Sequence, residues 1–77
     1  MNATIDDVRC DALFASDLQR SWNSTAETIR AAVTDAVGRL GADGCAGRVA
    51  EEFGEHPDCA IGRMRWARAA VRSAVGA

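Results

Sequence analysis

Four arginines near the C-terminal end are the side chains best suited to bind a charged ligand. They are Arg63, Arg65, Arg68 and Arg72. On a helix, the last three fall on one flank, because residues three, four and seven positions apart face the same side. Guanidinium groups bind phosphate oxygens and can make bidentate contacts to guanine. The spacing therefore suits contacts to double-stranded DNA, and a solvated helix face is the alternative.

A second group of side chains has the chemistry of metal ligands. Cys10, Cys45, His56 and Cys59 could in principle form a Cys3His site, and His56 and Cys59 are three residues apart. No pair has the Cys-x-x-Cys spacing that makes such a prediction specific. Cys45 fits better as a small core residue. We expect no metal and no cofactor.

The sequence carries no recognisable catalytic arrangement. His56 is the only histidine, and no serine or cysteine nucleophile is paired with a base in a known motif. Glu51 and Glu52 are adjacent, so on a helix they point apart instead of forming an acid–base pair. A glycine-rich phosphate loop is also missing. We therefore predict that the protein is not an enzyme.

Size and charge limit the possible architectures and partners. The chain has 77 residues, enough for one domain, and a chain this short buries only about 60% of its unfolded surface. A homodimer or a protein partner would add stability. The net charge is −2: residues 1–54 carry −4 and residues 55–77 carry +2. The absence of a run of ~18 apolar residues argues against a membrane span, and the odd cysteine count predicts a reduced, cytoplasmic protein.

The clearest element is a helix over residues 24–40. Ser24 and Glu27 have the spacing of a capping box, and Gly41 can take the positive φ that ends a helix. The apolar residues that share one face are Ile29, Val33, Ala36, Val37 and Leu40.

The N-terminal segment 1–23 has an uncertain structure. One interpretation is a helix capped by Thr4, with a stripe formed by Ile5, Val8, Ala12, Ala15 and Leu18. The other is an extended arm packed by Phe14.

Two further helices are predicted over residues 44–53 and 57–75. Asp43 is a candidate N-cap for the first, Gly54 ends it, and Pro57 opens the second with Asp58 in the first turn. The apolar stripe of the last helix comprises Ala60, Met64, Ala67, Val71, Ala74 and Val75. The predicted fold is an all-α bundle of three or four helices forming a single domain over residues 1–77.

The last two predicted helices have the requirements of a helix-turn-helix. Ala50 would allow close crossing, Gly54 would form the turn, and Ala60 would face inward. The order Ala50-x-x-x-Gly54, Ala60 and Arg63-Met64-x-Trp66-Ala67-Arg68 resembles the helix-turn-helix of region 4 in bacterial sigma factors and related response-regulator modules. The resemblance covers about residues 46–70, with departures at Glu55 and Ala60 and with Asp58 near the tip of the reading helix, where it would repel phosphate. It implies that the second helix enters the major groove and that the arginines contact bases or phosphates.

Two functions follow as alternatives. The first is a small DNA-binding transcriptional regulator that acts as a dimer, with DNA contacts from Arg63, Arg65, Arg68 and Arg72. The second is a non-catalytic helical adaptor that docks on another protein, the transcription machinery included. Its partner-binding residues would be Phe14, Trp22 and Trp66.

Two smaller features have alternatives of their own. His56-Pro57-Asp58 is similar to the tripeptide between two helices of J-domain co-chaperones, although the acidic residues before it differ from that family's basic helix. A simpler interpretation is that these residues cap and start helices. Trp66 lies three residues from Arg63 and could stack against its guanidinium, although a helix-interface role is the commoner one.

Overall fold

Three helices make up the described chain. The computed structural model describes residues 5–20 and 24–76, with α1 over Ile5–Ala15, α2 over Ala26–Glu55 and α3 over Pro57–Gly76. The described residues contain no β-strand. The prediction of an all-α fold is confirmed, with three helices packed against one another.

The first helix buries a different face from the one that its apolar spacing suggested. Cys10, Leu13 and Phe14 point into the main core, whereas Ile5 of the predicted stripe is 71% exposed. Ala12 lies in a second, smaller cluster, so α1 is covered on two sides. The extended-arm alternative is wrong for residues 5–15, and the predicted Thr4 cap lies outside the described residues.

The N-cap of the second helix lies one residue later than predicted, and the helix itself begins at Ala26. Thr25 is the N-cap, and its Oγ1 accepts a hydrogen bond from the backbone N–H of Thr28 at 3.1 Å. The predicted capping box at Ser24 is therefore wrong. With Thr25 as cap, Glu27 occupies the second helical position, one short of the position that a reciprocal box needs.

Gly41 interrupts α2, as its predicted positive φ implied. Its backbone angles are φ 72° and ψ 167°, and it is the only described residue with positive φ. This region of backbone space is essentially restricted to glycine. The helix resumes at once, so the predicted N-cap at Asp43 is wrong: that residue is already helical.

The turn between α2 and α3 lies two residues beyond the predicted one. Gly54 is helical, and the break falls at His56, whose N–H donates to the Glu52 carbonyl oxygen at 2.7 Å. The prediction of a turn at Gly54 is therefore wrong. His56 serves as the C-cap of α2, and the predicted helix start at Pro57 with Asp58 in the first turn is confirmed.

The predicted inner face of α3 is confirmed for residues 60–74, and the side chain of Val75 lies outside the description. Ala60, Met64, Ala67, Val71 and Ala74 are each at most 9% exposed and join the main core. Cys45 is also buried, as expected, in the smaller cluster with Ala12 and Ala36. Ala50 is exposed, so the prediction that the last helix crosses closely at this residue is wrong.

Candidate interaction surfaces

An exposed line of four side chains runs along α3, on the flank next to its buried face. Ile61, Arg65, Arg68 and Arg72 are spaced by four, three and four residues, which keeps them on one side of a helix. All four are exposed, and Ile61 retains 43% of its accessible surface. We refer to these four residues as the α3 stripe. It contains three of the four predicted DNA-contacting arginines.

Acidic side chains of α1 lie beside part of the α3 stripe. Asp6 and Asp7 share a surface depression of about 240 Å³ with Arg68 and Arg72, and Cys10 lies in the same depression. Burial raises the pKa of the Cys10 thiol, with opposition from the nearby Arg68 guanidinium. Two of the three arginines are thus close to carboxylates, and the positive potential of the stripe is partly compensated there.

The carboxyl group of Asp11, also on α1, is affected by the same two charged residues, Asp7 and Arg68, as the Cys10 thiol. Burial raises the pKa of its carboxyl, the neighbouring Asp7 raises it further, and Arg68 opposes both. Arg68 therefore interacts with several acidic groups of α1 at once. Its guanidinium is exposed, but it is not electrostatically isolated.

The fourth predicted arginine, Arg63, is held within the fold. Its Nε donates to the carbonyl oxygen of Phe14 at 2.7 Å, and its Nη2 donates to those of Ser16 at 2.9 Å and Leu18 at 3.1 Å. A longer bond of 3.4 Å reaches Leu13. The carbonyls of Leu13 and Phe14 lie in the last turn of α1, and those of Ser16 and Leu18 lie just after it. The last turn of α1 has no basic residue of its own. Arg63 supplies from α3 the positive charge and donors that a helix C-terminus favours.

Aromatic rings complete the surroundings of Arg63. Its guanidinium carbon lies 4.9 Å from the Trp66 ring centroid and 5.7 Å from that of Phe14. The predicted stacking of Trp66 on Arg63 is thus present. Burial lowers the pKa of Arg63, the nearby Arg20 lowers it further, and Glu52 opposes the change.

The predicted partner-binding residues do not form one exposed patch in the described chain. Phe14 is only 4% exposed, and its ring lies 6.1 Å from that of Phe53. Trp66 is half-buried against the core, and Trp22 lies outside the described residues. The prediction that Phe14 binds a partner is wrong, because its side chain is already packed in the main core.

The cysteines and the histidine are not assembled into a site. Cys10 and Cys45 are buried in different clusters, whereas His56 and Cys59 are exposed around the turn between α2 and α3. Within residues 5–20 and 24–76, no group of three His, Cys, Asp or Glu side chains could hold a metal ion.

Comparison with known proteins gives no relative. No protein-family model matches the chain, and no curated protein or solved structure matches it. The resemblance to region 4 of sigma factors stays a prediction. None of the described helices combines the length and the apolar character needed to cross a membrane.

Proposed function

We propose that the chain is a small non-catalytic interaction module that docks on an acidic surface of a partner protein through the α3 stripe. The observation that supports it is the position of Ile61, an exposed aliphatic side chain in line with three exposed guanidinium groups. Protein interfaces combine apolar anchors with arginine, which makes both stacking contacts and bidentate contacts to carboxylates.

The charge around the stripe favours a protein partner over a polyphosphate. Affinity for a nucleic acid backbone rises with the number of phosphates that cationic groups neutralise. Asp6 and Asp7 lie beside Arg68 and Arg72, and the net charge of the chain is −2. A protein partner can place its carboxylates at individual arginines and other groups beside Asp6 and Asp7. Repulsion by these two aspartates therefore weakens the binding of a protein less than the binding of a nucleic acid.

Duplex DNA is the second candidate, in the form of the predicted helix-turn-helix regulator. It rests on the three exposed guanidinium groups at i, i+3 and i+7 on one face of α3. In this arrangement Asp58 would lie near the DNA-facing tip of the helix and the arginines farther along it. Contacts from Arg65, Arg68 and Arg72 would then go mainly to phosphates, and Arg63 would keep its structural role.

A displayed library of acidic helical peptides tests the first candidate. We expect the selected peptides to carry aspartate or glutamate around an aliphatic residue, and their affinity to fall in the Ile61→Ser and Arg65→Gln variants. Arg48→Gln is the matched control, because it removes one exposed arginine of α2 and changes the net charge equally. The proposed docking surface would be contradicted if the wild type and both α3 variants bound every selected peptide with equal affinity.

A salt series with a random-sequence duplex tests the second candidate in parallel. Binding that weakens steeply with salt, with a slope that Arg65→Gln flattens and Ile61→Ser leaves unchanged, would identify DNA as the partner. We expect no duplex retention at low salt.

A further inference from the structure

A cleft between the three helices lies apart from the α3 stripe and has an apolar floor. The cleft measures about 340 Å³, and its floor consists of Ile29 and Val33 from α2 with Val71 and Ala74 from α3. Ile29, Val71 and Ala74 are each at most 5% exposed, so the floor is part of the core. Pockets for small ligands start at about 300 Å³ and combine apolar walls with a few polar groups.

Two arginines, Arg9 of α1 and Arg30 of α2, line this cleft. Arg30 donates from Nη2 to the Ala74 carbonyl oxygen at 3.3 Å, which holds its guanidinium at the end of the apolar floor. A guanidinium has five N–H donors, so this bond leaves others to bind a ligand.

The second guanidinium belongs to Arg9, which also lines the cleft. It pairs with Asp6 at 3.4 Å, where both side chains are substantially exposed. Such surface pairs contribute little free energy, so the pairing with Asp6 is a weak competitor for a ligand carboxylate. Arg9 and Arg30 together give the cleft a cationic edge above its aliphatic floor.

We infer that this cleft binds an aliphatic carboxylate of about eight carbons, with the chain on the apolar floor and the carboxylate at Arg9 and Arg30. The cleft of about 340 Å³ is open on one side, so it holds at most roughly eleven non-hydrogen atoms, if each occupies about the 30 Å³ of a water molecule in the liquid. Octanoate has ten such atoms. The assignment does not depend on the proposed docking function, since it uses neither Ile61 nor the arginines of the α3 stripe.

The chemistry of the cleft predicts how affinity changes along a ligand series. Each methylene that leaves water for the floor should tighten binding by about fourfold, until the cleft is full. Loss of a charge-assisted hydrogen bond should weaken binding by about tenfold or more. Octanoate should therefore bind more tightly than hexanoate and at least tenfold more tightly than 1-octanol.

Titration of the isotope-labelled protein with octanoate, hexanoate and 1-octanol tests this inference. We expect saturable amide shifts around Ile29, Val33 and Val71 with octanoate, and weaker binding in Arg9→Gln and Arg30→Gln. Thr34→Phe should block the cleft, because Thr34 is an exposed lining residue whose replacement leaves the buried floor intact. Arg48→Gln is the control with the same loss of charge at an exposed residue outside the cleft, and its affinity for octanoate should equal that of the wild type.

Three results would overturn the inference. They are the absence of saturable binding of octanoate, equal affinity for octanoate and 1-octanol, and unchanged affinity in both cleft arginine variants. The Thr34→Phe variant keeps the test independent of any loss of folding in Arg30→Gln, whose wild-type side chain also contacts Ala74.

Discussion

The Nε of Arg63 donates a hydrogen bond to the carbonyl oxygen of Phe14 across 2.7 Å, although the two residues are 49 positions apart in the chain. The same guanidinium reaches the carbonyl oxygens of Ser16 and Leu18. One side chain of α3 thereby donates to a carbonyl oxygen in the last turn of α1 and to two in the segment that follows it. This explains why Arg63 is half-buried while Arg65, two residues later, is exposed.

Replacement of Arg63 by methionine should lower the free energy of unfolding by about 2–3 kcal/mol, because it leaves partly buried carbonyls without a donor. Arg63→Lys should fall between the wild type and Arg63→Met, since an ammonium keeps the charge but lacks the planar fork. Urea denaturation provides the measurement. Arg65→Met is the control and should stay within about 0.5 kcal/mol of the wild type. An equal effect at both positions would contradict the structural role of Arg63.

Alanine at residue 41 should destabilise the protein by about 1–3 kcal/mol, because the backbone there has φ 72° and ψ 167°. No atom lies within 4 Å of the added Cβ, so the cost comes from the backbone alone. Gly38→Ala supplies a control of opposite sign. Its Cβ also meets nothing within 4 Å, but residue 38 is helical, and alanine should stabilise by about 0.4–1 kcal/mol. Thermal denaturation of both variants should show opposite shifts in Tm.

The three thiols should react at very different rates with an alkylating reagent. Cys59 is exposed, whereas Cys10 and Cys45 are buried and burial raises the pKa of both thiols. Intact-mass measurement at pH 8 should show one modified cysteine in the native protein and three in urea. In the Cys59→Ser variant, native protein should remain unmodified. Fast modification of two sites in the native wild type would show that one buried thiol is accessible.

The raised pKa values of these thiols also determine how stability changes at alkaline pH. Above the ordinary value of 9.0, the unfolded chain loses thiol protons that the folded protein retains. The stabilisation is therefore complete below this pH and is lost as pH rises through the folded-state pKa. Urea denaturation between pH 8 and 10 should show this decline, and it should be smaller in Cys10→Ala relative to that variant's own stability at pH 8.

Asp11 should make the protein less stable as pH rises from acid toward neutral. Its pKa is raised in the folded state above the ordinary 3.8, mainly because of burial and then because of Asp7. The folded state thus holds this proton more strongly, and the contribution is lost as pH rises through the folded pKa. Asp11→Asn should flatten this part of the pH profile of stability relative to the wild type. Matching profiles for wild type and Asp11→Asn would contradict the prediction.

Features that depend on local sequence were predictable. The inner face of α3 follows from the spacing of Ala60, Met64 and Val71, and periodicity alone places such residues on one side of a helix. The break at Gly41 likewise reflects a property of a single residue. The start of α3 at Pro57 follows from the missing N–H of proline.

Features that depend on tertiary contacts were not predictable from the chain alone. Gly54 fits equally well in a turn or in a helix, and the structure places the turn at His56. Arg63 has the same residue type as its neighbours, and only the approach of α1 distinguishes it from them. The cleft edge at Arg9 and Arg30 was missed for the same reason, because these arginines are 21 positions apart and come together only in the folded protein.

The hydrogen bonds from Arg63 also constrain the order of events during synthesis. Their acceptors lie 45–50 residues earlier in the chain, so α1 leaves the ribosome well before its partner exists. A nascent chain that stops short of residue 63 can form α1. It lacks the guanidinium that donates hydrogen bonds to the carbonyl groups at the end of this helix. The hydrogen bonds at the end of α1 are therefore completed only after residue 63 has been made.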